Sequence, residues 1–294
     1  MNSKFNLIFV CFLINLINVC IVSTVNTKLL DSLAYYNESS ISKLSPRDRF
    51  NLHHAFVVED NKWKNGRIGY QIDENFNDDE KRKIFLAMTE IEVSSCIRFV
   101  RHDPSHNFSD YVMIMKDYTD RSSSSSDLGC LHLEKQFLWL GVDMLYDVDI
   151  HDTILHELLH TIGFDHHHQR SDRDTYIAIH LENTNLSDAD ILADYAKHIK
   201  FNPWLKYVTP FDFDSVMLYE AYSDSVNDKA VITSKINGKK VPVYREQGLS
   251  KNDKILLNRF YECDGTDSRH PRMISYKDMH NYRMSSLIKE EWGL

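Results

Sequence analysis

The first half of the chain shows two hydrophobic patterns, one typical of helices and one typical of strands. Over residues 78–92, apolar side chains recur three and four positions apart and acidic residues occupy the first turn, which predicts an amphipathic helix. The serine-rich segment 121–127 predicts a loop. Short runs of β-branched and aromatic residues predict three strands, at 96–100, 111–116 and 137–142.

The second half of the chain is less regular and is closed by a helix. Residues 187–199 predict a helix with Ser187 as its N-cap. In residues 250–263, Ser250 and Asp253 have the spacing of a capping box ahead of an apolar run, so we expect a last helix there. This order of elements predicts an α+β fold with two lobes, the first built from a sheet and helices and the second irregular, with a cleft between them.

A long uncharged segment lies at the N-terminus. After Lys4, the chain runs from Phe5 to Val25 without a charged residue, which predicts a secretory signal peptide at 1–25. The same stretch is long enough to span a bilayer, so an uncleaved anchor is the alternative. Residues 26–54 have no clear periodicity and are interpreted as a pro-segment, with a linker as the simpler alternative.

The number and positions of the cysteines are consistent with a secreted protein. Cys11 and Cys20 would leave with the signal peptide, so the mature chain would keep Cys96, Cys130 and Cys263. An odd number predicts one disulfide together with either a free thiol or an intermolecular bond. N-glycosylation sequons fit the same route and occur at Asn37, Asn107 and Asn185.

Composition and charge indicate which kinds of molecule the protein is suited to bind. The 294 residues are 43% hydrophobic and 26% charged, as in ordinary soluble globular proteins. The net charge of −9 and the lack of a long basic run argue against a nucleic-acid partner. The sequence leaves the oligomeric state open.

The sequence HELLHTIGFDH, which begins at His156, has the spacing of a metal site. On a helix, His156 and His160 lie on one face, one turn apart, whereas Glu157 points about 100° away and would lie beside a bound metal. Gly163 can adopt a left-handed conformation and end the helix, so that His166 can return as a third ligand. Three imidazoles leave a fourth position for water, which is typical of a catalytic zinc rather than a structural one.

This extended motif is the metzincin signature, which predicts a methionine-containing turn downstream. The segment FDFDSVMLY at 211–219 provides one. Met217 would form a hydrophobic floor beneath the metal, and Tyr219 follows two residues later.

The two motifs in this order resemble one family. HELLHTIGFDHHHQRSDRD at 156–174, followed by SVMLY at 215–219, is similar to the astacin family of secreted zinc endopeptidases. KWKNGRIGYQID at 62–73 resembles the start of a mature astacin catalytic domain. The likeness covers residues 55–263 and leaves 264–294 as a tail without a recognisable module.

The resemblance implies a role for each residue of the motif. His156, His160 and His166 would bind one Zn²⁺ per chain, and Glu157 would act as the catalytic acid and base. Tyr219 would ligate zinc in the resting enzyme and stabilise the transition state. The resemblance also implies a twisted mixed sheet with two helices in the first lobe, zinc at the floor of the cleft, and a protein or peptide substrate. No stable membrane association is expected.

The resemblance also implies two disulfide pairs, and the second pair lacks one of its cysteines in this chain. Cys96 and Cys263 match the family's long-range pair. Cys130 matches one member of the second pair, but Val148 occupies the position of its partner. We therefore expect a Cys96–Cys263 disulfide and an unpaired Cys130.

Other departures concern the surroundings of the motif. His167 stands where the family has a glutamate that helps to bury the new N-terminus, and we expect His167 and His168 to be exposed or adjacent to the ligands. Residues 131–137 replace a glycine-rich turn, and the pro-segment lacks the family's Phe-x-Gly-Asp motif. Two alternatives stay open: a non-catalytic secreted binding protein and a membrane-anchored form of the enzyme.

Overall fold

The computed structural model of the protein describes residues 61–103, 109–197, 209–243 and 247–263. The predicted signal peptide, pro-segment and C-terminal tail lie outside these ranges, as do two of the three sequons. The third sequon residue, Asn185, is exposed. No helix within the described part of the chain is long and apolar enough to cross a membrane.

The described part of the first lobe contains a five-stranded sheet in the order β2-β1-β3-β5-β4. Four strands are parallel, and the short edge strand β4 is antiparallel to β5. The strands are β1 Arg67–Ile72, β2 Arg98–Arg101, β3 Tyr111–Asp117, β4 Ser125–Ser126 and β5 Lys135–Gly141.

Two helices pack with this sheet. Helix α1, Asp78–Ser94, starts at a capping box in which Asn77 and Glu80 bond reciprocally. Helix α2, Ile150–Ile162, is buried along most of its length. The apolar faces of both helices share one core with the strands, as the sequence periodicity predicts; its members include Ile84, Met88, Ile91, Leu155, Leu158, Ile162, Val112, Ile114, Leu138 and Leu140.

The second lobe is built around a smaller core. It holds helix α3, Asp188–Asp194, and a two-stranded antiparallel sheet of β6, Ile177–Ile179, and β7, Ile232–Ser234. Helix α4, Lys251–Phe260, follows. Residues of the second core include Tyr195, Phe211, Phe213, Leu218 and Ile232. The α+β fold expected from the sequence is confirmed, with the mixed sheet and both helices in the first lobe.

The predicted elements differ from the structure at a few boundaries. The segment predicted as a loop at 121–127 contains β4, and β1, β6 and β7 were not predicted. The helix predicted at 187–199 begins after Ser187 in a capping box, but it ends at Asp194 because Tyr195 has left the helical conformation. The capping box of Ser250 and Asp253 at α4 is confirmed.

The predicted disulfide is confirmed. Cys96 and Cys263 are joined, 167 residues apart in sequence, and the bond ties the end of α1 to the segment after α4. On the chain-entropy argument, closing such a loop stabilises the fold by up to about 5 kcal/mol. Cys130 is a free thiol with 3% exposure, whereas Val148 is 78% exposed. An intermolecular disulfide at Cys130 is therefore disfavoured by its burial.

Acidic residues on the two long helices hold the segment that leads into α4. The buried carboxylate of Glu90 accepts from the Leu249 amide at 2.9 Å, and that of Asp152 accepts from the Gly248 amide at 2.9 Å. Gly248 has a φ of 69°, and a Cβ there would lie 2.6 Å from Glu90 Oε1. Only glycine satisfies both the left-handed conformation and this close approach.

Candidate metal centre and active site

Helix α2 and the turn after it bring three histidines together. His156 and His160 share one face of α2, as their spacing predicts. Gly163 ends the helix in a left-handed conformation with a φ of 112°, and its amide and that of Phe164 donate to the carbonyl of residue 159. This C-cap reverses the chain and places His166 against the other two rings.

The C-terminal end of α2 is fixed by bonds from distant segments. The carbonyls of residues 160–162 have no partner inside the helix, although that of His160 also accepts from the Gly163 amide of the C-cap at 2.9 Å. They accept from the Gly129 amide at 2.8 Å, the Trp63 indole N–H at 2.7 Å and the Tyr261 hydroxyl at 2.7 Å. These three donors hold in place the end of the helix that carries the candidate metal ligands.

The three Nε2 atoms converge on one point. They lie 3.0 Å apart for His156 and His160, 3.0 Å for His160 and His166, and 3.1 Å for His156 and His166. The three histidines form a group that could hold a metal ion. Tetrahedral zinc with Zn–N bonds of about 2.1 Å would separate its ligands by roughly 3.4 Å, close to these distances.

The second nitrogen of each ring fixes its tautomer. His156 Nδ1 lies 2.9 Å from the Val216 carbonyl and His160 Nδ1 lies 2.7 Å from that of Phe164; a carbonyl can only accept, so each Nδ1 carries the proton. His166 Nδ1 donates to Gln169 Oε1 at 3.1 Å. Three Nε2 lone pairs therefore face one another, and this donor set fits a cation.

Glu157 follows His156 on α2, and one of its oxygens has no hydrogen-bond partner among the described residues. The residue is 5% exposed, and its Oε2 atom is buried without a hydrogen bond within the described residues. Burial raises the pKa of Glu157 to about 8. A dication beside the carboxyl would lower that pKa again. The group is thus suited to accept and release a proton near neutral pH.

The predicted methionine turn lies next to the triad and is held by α4. Met217 is 2% exposed in the first core, and its carbonyl accepts from the His167 amide at 2.8 Å. Asp253 accepts from the Ser215 hydroxyl at 2.7 Å and from the Val216 amide at 3.0 Å. Asp253 was predicted only as a helix-capping residue, and its support of the turn has no signal in the sequence.

Tyr219 packs against the triad from the second lobe. Its ring centre is 4.5 Å from that of His166 and 4.2 Å from that of His168. Burial raises the pKa of Tyr219 well above its usual value, so the phenol keeps its proton at neutral pH. Because Met217 belongs to the first core and Leu218 to the second, the site lies where the two lobes meet.

His167 and His168 were expected to be either exposed or adjacent to the ligands. Both are buried, so the first alternative is wrong. His167 Nε2 accepts from the Asp212 amide at 2.9 Å. His168 Nε2 donates to the Asp194 carbonyl at 2.7 Å, and its Nδ1 has no partner among the described residues. Burial lowers the pKa of His168 to about 3. The two rings bond to backbone of the second lobe, and the triad contains only His166 from this run.

Two buried arginines stabilise the segment that contains the three consecutive histidines, residues 166–168. Arg170 is buried and forms a bidentate pair with Asp172, with both N–O distances 2.9 Å. Arg173 donates to the carbonyl of His168 at 2.9 Å and to that of Tyr195 at 2.6 Å. Both arginines lie in the run after the third histidine that carried the family resemblance, and the structure gives them a supporting role.

Comparison with known proteins gives concordant matches. Zinc metalloproteinase nas-4 of Caenorhabditis elegans is 27% identical over 272 residues, which cover 85% of this chain and 76% of that protein. Low choriolytic enzyme of Oryzias latipes is 31% identical over 197 residues, covering 67% of this chain and 66% of that enzyme. Among solved structures, high choriolytic enzyme 1, a hatching enzyme zinc-protease from medaka fish, aligns with a TM-score of 0.56 and 30% identity, over 69% of this chain and 94% of that one.

The match to a protein family covers most of the described chain. Residues 56–262 match the peptidase family described as Astacin. This range includes the histidine motif, the methionine turn and both lobes. The chain therefore belongs to the astacin family of zinc metalloendopeptidases, which confirms the resemblance of its two motifs.

Proposed function

We propose that the protein is a secreted endopeptidase that uses one zinc ion per chain, held by His156, His160 and His166, to hydrolyse peptide bonds in proteins or peptides. The observation that carries the proposal is the convergence of three Nε2 lone pairs within 3.1 Å of one another. When bound, zinc supplies a Lewis acid that polarises the scissile carbonyl and lowers the pKa of water.

Glu157 is proposed as the general base and then the general acid. Its carboxylate would take the proton from the water that attacks the scissile carbonyl, and it would deliver that proton to the leaving amine. Burial favours the neutral carboxyl, and this preference helps Glu157 to retain the proton between the two transfers.

Tyr219 is proposed as a hydrogen-bond donor to the oxygen of the scissile carbonyl. Negative charge develops on that oxygen during attack, and a positioned donor is most effective there. The phenol is close to the triad and keeps its proton at neutral pH because burial raises its pKa.

Secretion is supported by three features of the chain. A disulfide between Cys96 and Cys263 persists in oxidising compartments. The segment at 1–25 has the pattern of a signal peptide, and the sequon residue Asn185 is exposed. N-terminal sequencing of protein collected from the medium distinguishes a cleaved signal from an uncleaved anchor.

The test compares wild type, Glu157→Gln and a matched control, Glu182→Gln, which changes an exposed carboxylate that pairs with His180. Each protein is assayed for bound zinc and for cleavage of a casein-type substrate, before and after trypsin treatment that removes a pro-segment. We expect zinc in all three and a loss of activity of about 10²–10⁴-fold in Glu157→Gln alone. Zinc in all three with no cleavage by wild type under any condition would instead support the non-catalytic binding protein.

A further inference from the structure

A second group of metal-binding side chains lies outside the histidine triad. Asp110, Cys130 and His132 place a carboxylate oxygen, a thiol sulfur and a ring nitrogen within 4.8 Å of one another. Cys130 Sγ is 3.6 Å from His132 Nδ1, and that nitrogen is 3.5 Å from Asp110 Oδ2. Within the described residues, neither a disulfide nor a role in peptide hydrolysis accounts for this combination.

Two of the three distances between donor atoms agree with the edges of a tetrahedral zinc site, and the third, between Asp110 and Cys130, is within 4.8 Å. With Zn–S of about 2.3 Å and Zn–N of about 2.1 Å, a tetrahedral angle separates sulfur from nitrogen by roughly 3.6 Å. The same arithmetic separates nitrogen from a carboxylate oxygen by roughly 3.4 Å. Both edges that include His132 match these values to within about 0.2 Å. The ring of His132 is 62% exposed, so water can reach the fourth position.

The carboxylate and the thiol are held in place by their neighbours. Asp110 Oδ2 accepts from the Ser109 hydroxyl at 2.8 Å, and Asp110 Oδ1 accepts from the Glu134 amide at 3.1 Å. Such bonds orient a carboxylate ligand. The Cys130 amide donates to the Asn61 carbonyl at 2.8 Å. The donor atoms are thus positioned before any ion arrives.

The turn that carries His132 is also unusual for its residue types. His132 and Glu134 both have left-handed backbone, with φ of 55° and 62°. Non-glycine residues rarely adopt this conformation, and they keep it only where their surroundings fix it. The turn therefore holds the His132 ring beside the sulfur despite a conformational cost.

We infer that Cys130, His132 and Asp110 form a second site for a divalent transition metal, with Zn²⁺ as its natural occupant. A thiolate with an imidazole suits zinc better than calcium or magnesium, which prefer oxygen ligands. The bound ion would join the start of β3 to the segment before β5. It would also steady Gly129, whose amide bonds to the His160 carbonyl.

Binding at this site exchanges a proton for the metal. Burial raises the pKa of the Cys130 thiol, so the sulfur is protonated at neutral pH until a cation displaces its proton to solvent. His132 would bind through a ring-nitrogen lone pair, and Asp110 through a carboxylate oxygen.

The test uses Co²⁺ as the probe on the secreted protein after its metal has been removed with a chelator. Cobalt bound to a thiolate gives an intense charge-transfer band in the near ultraviolet, whereas the histidine triad contains no sulfur. Wild type, Cys130→Ser and His132→Ala are titrated and followed by absorbance. His180→Ala is the matched control, because His180 also lies beside a carboxylate, that of Glu182, but has no thiol partner.

We expect wild type and His180→Ala to bind two equivalents of Co²⁺ and to show the charge-transfer band. Cys130→Ser should bind one equivalent without the band, and His132→Ala should bind the second equivalent at least about tenfold more weakly. The exposed position of His132 keeps that variant folded, and circular dichroism checks all four proteins. One equivalent and no band in wild type would overturn the inference, as would a band that survives Cys130→Ser. Because the readout is metal binding, it is independent of whether the protein cleaves peptides.

Discussion

Asp253 connects the last helix to the candidate metal centre, and its replacement by alanine tests whether that connection stabilises both. The carboxylate is 5% exposed and accepts from the Ser215 hydroxyl, the Val216 amide and the Ser250 amide. The carbonyl of Val216 in turn accepts from the ring of His156. Asp253→Ala removes the acceptor that fixes this whole turn.

The expected loss of stability can be estimated from the bonds that are broken. The Val216 amide is buried and would be left without an acceptor, at a cost of about 1–3 kcal/mol, and the Ser215 hydroxyl would lose a further charged bond. Burial raises the pKa of Asp253, so desolvation of the carboxylate already costs free energy in the native protein, and its removal offsets part of the loss. We therefore expect Asp253→Ala to lower the free energy of unfolding by about 2–4 kcal/mol.

The measurement is urea unfolding of the metal-loaded protein, together with zinc competition against a chelator. The matched control is Asp188→Ala, which also removes an acid from the first turn of a helix, but at an exposed position; its cost is about 0.3–1 kcal/mol. Zinc should bind at least about tenfold more weakly to Asp253→Ala. Equal unfolding free energies for the two variants, with unchanged zinc affinity, would refute the argument.

Further predictions concern Tyr219, Gly248, the Cys96–Cys263 disulfide and the release of zinc. Tyr219→Phe should lower kcat by about 10²–10³-fold with little change in KM, because it removes the donor proposed to act in the transition state; steady-state kinetics test this, and an equal rise in KM would contradict it. Gly248→Ala should destabilise the protein more than Gly238→Ala, since both have left-handed φ but only Gly248 faces the Glu90 carboxylate within 3 Å; chemical unfolding compares them, and equal losses would exclude the steric cause. Cys96→Ser should cost up to about 5 kcal/mol, measured as the fall in Tm, and an unchanged Tm would mean that the loop it closes is held by other contacts. Chelation should remove zinc more readily at acidic than at neutral pH, because protons compete for the three Nε2 lone pairs; release independent of pH would exclude this ligand set.

The parts of the fold that sequence predicts best are those with a repeated pattern. Helix α1 has apolar residues at helical spacing, and α4 has a capping box, so both were predicted close to their observed ends. The strands β6 and β7 contain three residues each, which is too few for a period-two pattern to be distinguished from a loop. The same holds for β4, whose two serines carry no hydrophobic signal.

The site shows a similar division between local and distant determinants. The spacing of His156, His160 and His166 follows from helix geometry and a glycine cap, and the structure brings the three rings together. The burial of His167 and His168 depends on backbone groups at Asp194 and Asp212, which are separated from them in sequence. No local pattern could therefore show that these polar rings are enclosed.

The residues that hold the triad in place are synthesised after the triad itself, and this order affects when the protein can become active. The three histidines lie within eleven residues, but the acceptor for His156 comes 60 residues later, and Asp253 follows Val216 by another 37. The disulfide needs Cys263, which is 167 residues from its partner. Long-range contacts of this kind form late in folding. A nascent chain thus carries all three candidate zinc ligands well before the turn and helix that align them. We therefore expect the protease to become competent only after nearly all of its catalytic domain has been synthesised.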